Sequence, residues 1–182
     1  ATNCGGLNAV DQARGAVRTF KPRKPNDPTG DPCVFSLTES PAGTLWAGTW
    51  GGGLTRIRNG IEERMPASGL RDSVLLALFT DRDGVVWVGT HSGGLAALRD
   101  GRVMAAYDTS DGLAHNSVRT IYQTRDGALW LGTLGGLSRL SAGRVTTFGA
   151  ADGLSSLHVR AIHEVPIPRP RERQCAPVIA KI

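Results

Sequence analysis

The stretch Ser117-Val118-Arg119-Thr120-Ile121-Tyr122-Gln123-Thr124-Arg125-Asp126-Gly127-Ala128-Leu129-Trp130-Leu131-Gly132-Thr133 decides how this chain folds. Its two halves are rich in the β-branched, aromatic and aliphatic residues that suit a pleated surface, and Asp126-Gly127 between them reverses the chain. The phrase returns twice. Val85-Val86-Trp87-Val88-Gly89-Thr90 follows Asp83-Gly84, and Thr44-Leu45-Trp46-Ala47-Gly48-Thr49 follows Ala42-Gly43.

The tryptophans of these phrases are 41 and then 43 positions apart, inside the period of about 40–45 residues expected of four-stranded propeller blades. Other landmarks keep phase. Gly-Gly-Leu follows at Gly52-Gly53-Leu54, Gly93-Gly94-Leu95 and Gly135-Gly136-Leu137, and Gly-Leu precedes the next unit at Gly69-Leu70, Gly112-Leu113 and Gly153-Leu154. Asn59-Gly60, Asp100-Gly101 and Ala142-Gly143 stand where a tight hairpin is due, a turn that needs positive φ at both central residues. Each unit therefore reads as four short strands, and the fold class is all-β: propeller blades, each a four-stranded antiparallel meander. One such meander cannot bury its faces alone, so blades must stack. Trp46, Trp87 and Trp130 are expected to fill the blade contacts, with Gly48, Gly89, Gly132, Thr49, Thr90 and Thr133 completing the structural repeat.

Thr2-Asn3-Cys4-Gly5-Gly6-Leu7 aligns with Thr49 to Leu54, so the chain opens part-way through a blade. Residues 1–25 are expected to end that blade, 33–65, 73–108 and 117–149 to form one blade each, and 157–164 to supply the first strand of another. Residues 1–164 would then be an incomplete propeller of about three complete blades with partial blades at both ends. Val165-Pro166-Ile167-Pro168-Arg169-Pro170 cannot continue as an interior strand, because proline has no N–H to donate. Residues 165–182 read as an irregular Pro/Arg-rich tail, as in a truncated or frame-disrupted product. An isolated arc would expose apolar blade faces and is expected to associate.

Composition agrees with a turn-rich β protein: the 182 residues include 24 glycines and only 5% aromatics. The formal charge of +5 comes largely from a tail holding Arg169, Arg171, Arg173 and Lys181 and from Arg18, Lys21, Arg23 and Lys24. No basic stripe alternates with stacking aromatics, so nucleic acid is not an expected partner. Cys4, Cys33 and Cys175 are widely spaced and odd in number, matching neither a disulfide framework nor a zinc site and leaving the redox compartment open. The longest apolar runs, such as Val74 to Phe79, are far too short for direct membrane insertion, and no signal peptide is expected within this stretch; that of a secreted parent would lie outside it.

The run from Asp111-Gly112-Leu113 through Asn116-Ser117-Val118 and Asp126-Gly127 to Trp130-Leu131-Gly132-Thr133 strongly resembles the two-component regulator propeller repeat. The resemblance covers residues 2 to about 164. It implies a sensor module of a bacterial signal-transduction receptor, periplasmic or otherwise extracytoplasmic, in a membrane-anchored parent that continues into a histidine kinase or diguanylate cyclase. The implied partners are a small-molecule or oligosaccharide ligand and the remainder of a parent that can dimerise.

In a four-stranded blade, the loop between the second and third strands and the loop entering the next blade emerge on one face. Ligand contacts are expected there, and the candidates are Trp50, Arg71, His91, His115 and Asn116. Together they offer an aromatic face, a positive charge and hydrogen-bonding groups, a set suited to an anionic or sugar-like ligand. A lyase or hydrolase of the streptogramin lyase type is the enzyme alternative. It needs a general base or metal ligands converging from adjacent blades, for which His91, His115 and Asp72 are the nearby groups. His158 and His163 lie on or beside a packing strand, and His163-Glu164 lacks an HExxH companion. No catalytic residue, metal or cofactor is assigned, and the chain is read as a non-enzyme. An interaction scaffold like WD-repeat propellers is a third reading, weakened by the absence of Gly-His to Trp-Asp pairing.

Overall fold

In a computed structural model, the described residues are 6–11, 13, 15–20, 33–41, 43–66, 69–165 and 177–178. Alternating apolar residues around glycine turns give three antiparallel four-stranded meanders. The first joins β3 (Val34–Ser40), β4 (Thr44–Thr49), β5 (Leu54–Arg58) and β6 (Ile61–Arg64). The second joins β7 (Leu75–Thr80), β8 (Val86–Thr90), β9 (Leu95–Arg99) and β10 (Arg102–Tyr107). The third joins β11 (Val118–Gln123), β12 (Leu129–Thr133), β13 (Leu137–Ser141) and β14 (Arg144–Phe148). Before them, β1 (Leu7–Asp11) pairs with β2 (Ala16–Phe20). Among the described residues the only helices are single 3-10 turns at Thr109–Asp111 and Ala150–Asp152. The sheets lie side by side, first strand against first strand, as an incomplete propeller.

The core lies between the sheets. Trp46 and Leu54 of the first meander pack with Leu75, Leu78, Val88 and Leu98 of the second. Ala77 and Leu95 of the second pack in turn with Val118, Ile121, Leu129 and Leu131 of the third. Each fully buried leucine is worth about 1.5–3 kcal/mol, so much of the burial that stabilises a blade is supplied by its neighbour.

The Gly-Thr half of the repeat has a local cause. A Cβ on Gly89 would lie 2.7 Å from the Val118 carbonyl oxygen, and one on Gly132 would lie 2.8 Å from that of Val159. The glycine thus marks where the next blade's first strand seats against backbone. The buried hydroxyls of Thr49, Thr90 and Thr133 donate to the carbonyls of Gly53, Gly94 and Gly136 at 2.9, 2.9 and 2.7 Å, closing the following loop. The hairpins are of the required kind: Asn59, Asp100 and Ala142 have φ of 51°, 53° and 48°, and each is followed by a glycine at 76°, 79° and 74°.

Each first strand also carries a β-bulge, between Val34 and Ser36, Leu75 and Ala77, and Val118 and Thr120. Past the third meander, Val159 and Ile162 are buried like Val118 and Ile121, and the Val159 N–H donates to the Thr133 carbonyl at 3.0 Å. Within 157–164, however, only β15 (His163–Glu164) has a ladder partner, the short β16 (Pro177–Val178). That pairing puts a strand into the Pro/Arg-rich tail, whose other residues from 166 onward lie outside the described residues. Cys33 is disulfide-bonded, which the odd cysteine count did not anticipate; Cys4 and Cys175 are outside the described residues.

Candidate functional site

The loops expected to meet do meet. The N–H groups of Gly51 and Gly53 both donate to the Ser73 carbonyl, at 3.2 and 3.0 Å, and Trp50 bridges to Val74. At the next junction the Gly94 N–H donates to the Asn116 carbonyl at 3.0 Å.

Trp50 and His91, one blade apart, come together with ring centroids 5.7 Å apart, tilted by 50°. Phe35 extends the run on the other side, its centroid 5.3 Å from that of Trp50. These rings are solvent-facing: Phe35 is 50% and Trp50 43% exposed, whereas Trp46 is 4% exposed. Phe35 escaped the sequence reading because it is the extra residue of the bulge between Val34 and Ser36. A bulge re-aims a side chain that strict alternation would assign to a face, and strand periodicity carries no signal for it.

Arg71, His115 and Asn116 are placed differently, each tied into the loop framework. The Arg71 guanidinium pairs with Asp108, so its charge is met within the protein. His115 accepts the Ser117 N–H on Nδ1 at 2.8 Å, which leaves the neutral ring's proton on Nε2. Asn116 accepts the Thr109 N–H on its side-chain oxygen at 2.9 Å.

Two acids organise these loops: Asp72, weighed in the sequence only as a carboxylate for the enzyme alternative, and Asp108, which the sequence reading did not single out. Asp72 accepts the Val74 N–H at 2.9 Å on one oxygen and the N–H and hydroxyl of Ser92, both at 2.8 Å, on the other. Burial pushes its carboxyl up, but these hydrogen bonds outweigh that and hold it below the ordinary value. Asp108 is held low first by the Ser110 hydroxyl and N–H, then by Arg71. A short polar side chain that caps a local turn is readable in sequence as Asp-Ser-Val or Asp-Thr-Ser. Among the described residues, no three His, Cys, Asp or Glu side chains are grouped so as to hold a metal ion. Nor is any helix long and apolar enough to cross a membrane.

What the geometry defines is a propeller module with its loops gathered on one face. Residues 69–92 and 112–135 each match the two component regulator propeller family. The extracellular domain of BT3049, described as a hybrid two component system of B. thetaiotaomicron, superposes with a TM-score of 0.75 at 23% identity, over 91% of this chain and 23% of that one. Virginiamycin B lyase from Staphylococcus aureus superposes at 0.68 with 17% identity, over 88% of this chain and 53% of the lyase. A gluconolactonase of Xanthomonas campestris, XC5397, reaches 0.52 at 16% identity, over 79% of this chain and 54% of the enzyme. Identities this low establish shared fold alone, and the chain spans about a quarter of the sensor domain and about half of each enzyme. No curated protein matches the chain by sequence.

Proposed function

We propose that this chain is the ligand-sensing part of an extracytoplasmic receptor of two-component or related signal transduction, and that it binds a small molecule or oligosaccharide on its loop face without transforming it. The observation that carries the reading is the exposed run Phe35, Trp50 and His91, on repeats of a regulator propeller family. Aromatic faces that stay solvent-exposed over a rigid sheet give a sugar's apolar face a stacking surface, and His91 adds a directional hydrogen bond. The disulfide at Cys33 supports an oxidising compartment. In this reading the other partners are the remaining domains of a dimeric parent.

The test is calorimetric titration of the intact parent with a panel of neutral and acidic saccharides, repeated with Trp50→Ala and His91→Ala. Removing a central aromatic anchor is expected to weaken binding by about 2 kcal/mol, roughly thirtyfold. Unchanged affinity in both variants would dispose of the assignment.

A further inference from the structure

On the face opposite those loops, a cavity of about 320 Å³ opens at the junction of the first and second complete meanders. Ser40, Pro41, Trp46, Arg56 and Arg58 line it from one blade and Arg99 from the next. Its size lies at the small end of ligand pockets, which run from about 300 to 1,000 Å³. Repeat-equivalent positions at the following junction show why the space exists.

Asp81 stands one repeat after Ser40, and Arg82 one repeat after Pro41. At that later junction the Arg82 guanidinium reaches across to the carbonyls of Thr124 and Arg125 at 3.1 and 3.0 Å, while its N–H donates to the Gln123 side chain at 3.1 Å. Pro41 has neither cation nor N–H, so no such bridge forms at the earlier junction. The carboxylate of Asp81 also accepts the indole N–H of Trp87 at 2.7 Å. Ser40 does not replace it: its hydroxyl donates to the Thr44 carbonyl at 3.3 Å and takes no hydrogen bond from the indole. The indole Nε1 of Trp46, the counterpart of Trp87, is buried without a hydrogen-bond partner. An orphaned buried donor costs about 1–3 kcal/mol in general and calls for an explanation.

The cations at this cavity are arranged differently from those at the next junction. Arg56 corresponds to Ala97 in the next blade, and Arg99 to Ser141. Arg56 pairs with Glu63, but Arg58 and Arg99 have no ion-pair partner among the described residues. The two acids at the lining, Asp83 and Asp100, are exposed, as are Arg58 and Arg99; neither acid forms an ion pair with them, and Arg99 reaches the Asp83 carbonyl at 3.4 Å rather than its carboxylate.

We infer that this cavity is a second binding site, for a small carboxylate-bearing anion whose carboxylate takes the place at Trp46 that Asp81 takes at Trp87. Arg58 and Arg99 supply the charge-assisted hydrogen bonds, and the indole N–H of Trp46, a residue of the lining, supplies a neutral donor. The site is separate from the loop face and independent of what binds there.

The experiment is a titration of the full chain, labelled with nitrogen-15, with sodium D-glucuronate, using D-glucose as the neutral match and inorganic phosphate as the alternative anion. Glucuronate is expected to shift the Trp46 indole N–H resonance and leave that of Trp87 in place, while glucose moves neither. Phosphate acting as well as glucuronate would replace the carboxylate assignment with a general anion site and overturn the proposal as stated. Arg99→Ser, which installs the residue of the next blade, is expected to weaken glucuronate by about tenfold. Ser40→Asp supplies the carboxylate from the chain itself and is expected to abolish binding while moving the Trp46 resonance toward that of Trp87. A Trp46 resonance unmoved by glucuronate, or wild-type affinity in Ser40→Asp, would refute the inference.

Discussion

Replacing Gly89 by alanine tests the claim that the repeat's glycine marks a blade-to-blade seat. The added methyl would stand 2.7 Å from the Val118 carbonyl oxygen and 2.9 Å from Val118 Cγ1. The oxygen belongs to backbone held in the β11 ladder, so the strand as a whole must retreat. Overpacking of this kind costs about 1–3 kcal/mol. Against it, alanine lowers the entropy of the unfolded chain and contributes about 0.4–1 kcal/mol, because Gly89 does not have positive φ. The expected net loss is about 1–2 kcal/mol. Gly48→Ala is the internal control, since the atoms nearest its methyl would be side-chain atoms, Leu75 Cβ at 3.1 Å and the Leu78 side chain at 3.3 Å. There the two terms nearly cancel, to within about 0.5 kcal/mol. With a urea dependence of about 1–3 kcal/mol per molar, Gly89→Ala should lower the unfolding midpoint by roughly 0.5–1 M, followed by tryptophan fluorescence, and Gly48→Ala should hardly move it. Equal shifts in the two variants would refute the reasoning.

Ala142 is a non-glycine residue at φ 48° in a hairpin turn, a conformation costing about 1–2 kcal/mol for such a residue; Ala142→Gly is expected to raise Tm by about 2–4 °C, checked by calorimetry. Asp72, Asp108 and Asp126 all have folded pKa values below the ordinary 3.8. The unfolded chain therefore binds protons more readily, and the stability these groups contribute is complete above the ordinary value and lost as pH falls through their folded values. Urea midpoints measured between about pH 5 and pH 2 should decline through that window, and Asp72→Asn should lower the midpoint at the upper end and flatten the slope.

The blades were legible because their determinants are local and repeated. Trp-x-Gly-Thr, Gly-Gly-Leu and the hairpin pairs at Asn59-Gly60, Asp100-Gly101 and Ala142-Gly143 each impose a backbone conformation within a few residues. Recurrence at a fixed period then dictates stacking, and the loops carrying Trp50 and His91 fall on one face by strand alternation alone.

The rest depended on groups that are distant in sequence. That Arg71 is neutralised by Asp108, that a bulge turns Phe35 out beside Trp50, and that Trp46 is left without the acceptor that Trp87 finds in Asp81 all follow from how one blade meets the next. Ser40 and Pro41 stand beside a hairpin turn, where serine and proline are ordinary residues. Only the packed junction shows that their side chains fail to fill and pair what Asp81 and Arg82 fill and pair one repeat later. Local preference sets which strands form and where they turn; side-chain volume and hydrogen-bond pairing across a junction are three-dimensional sums that no single repeat contains.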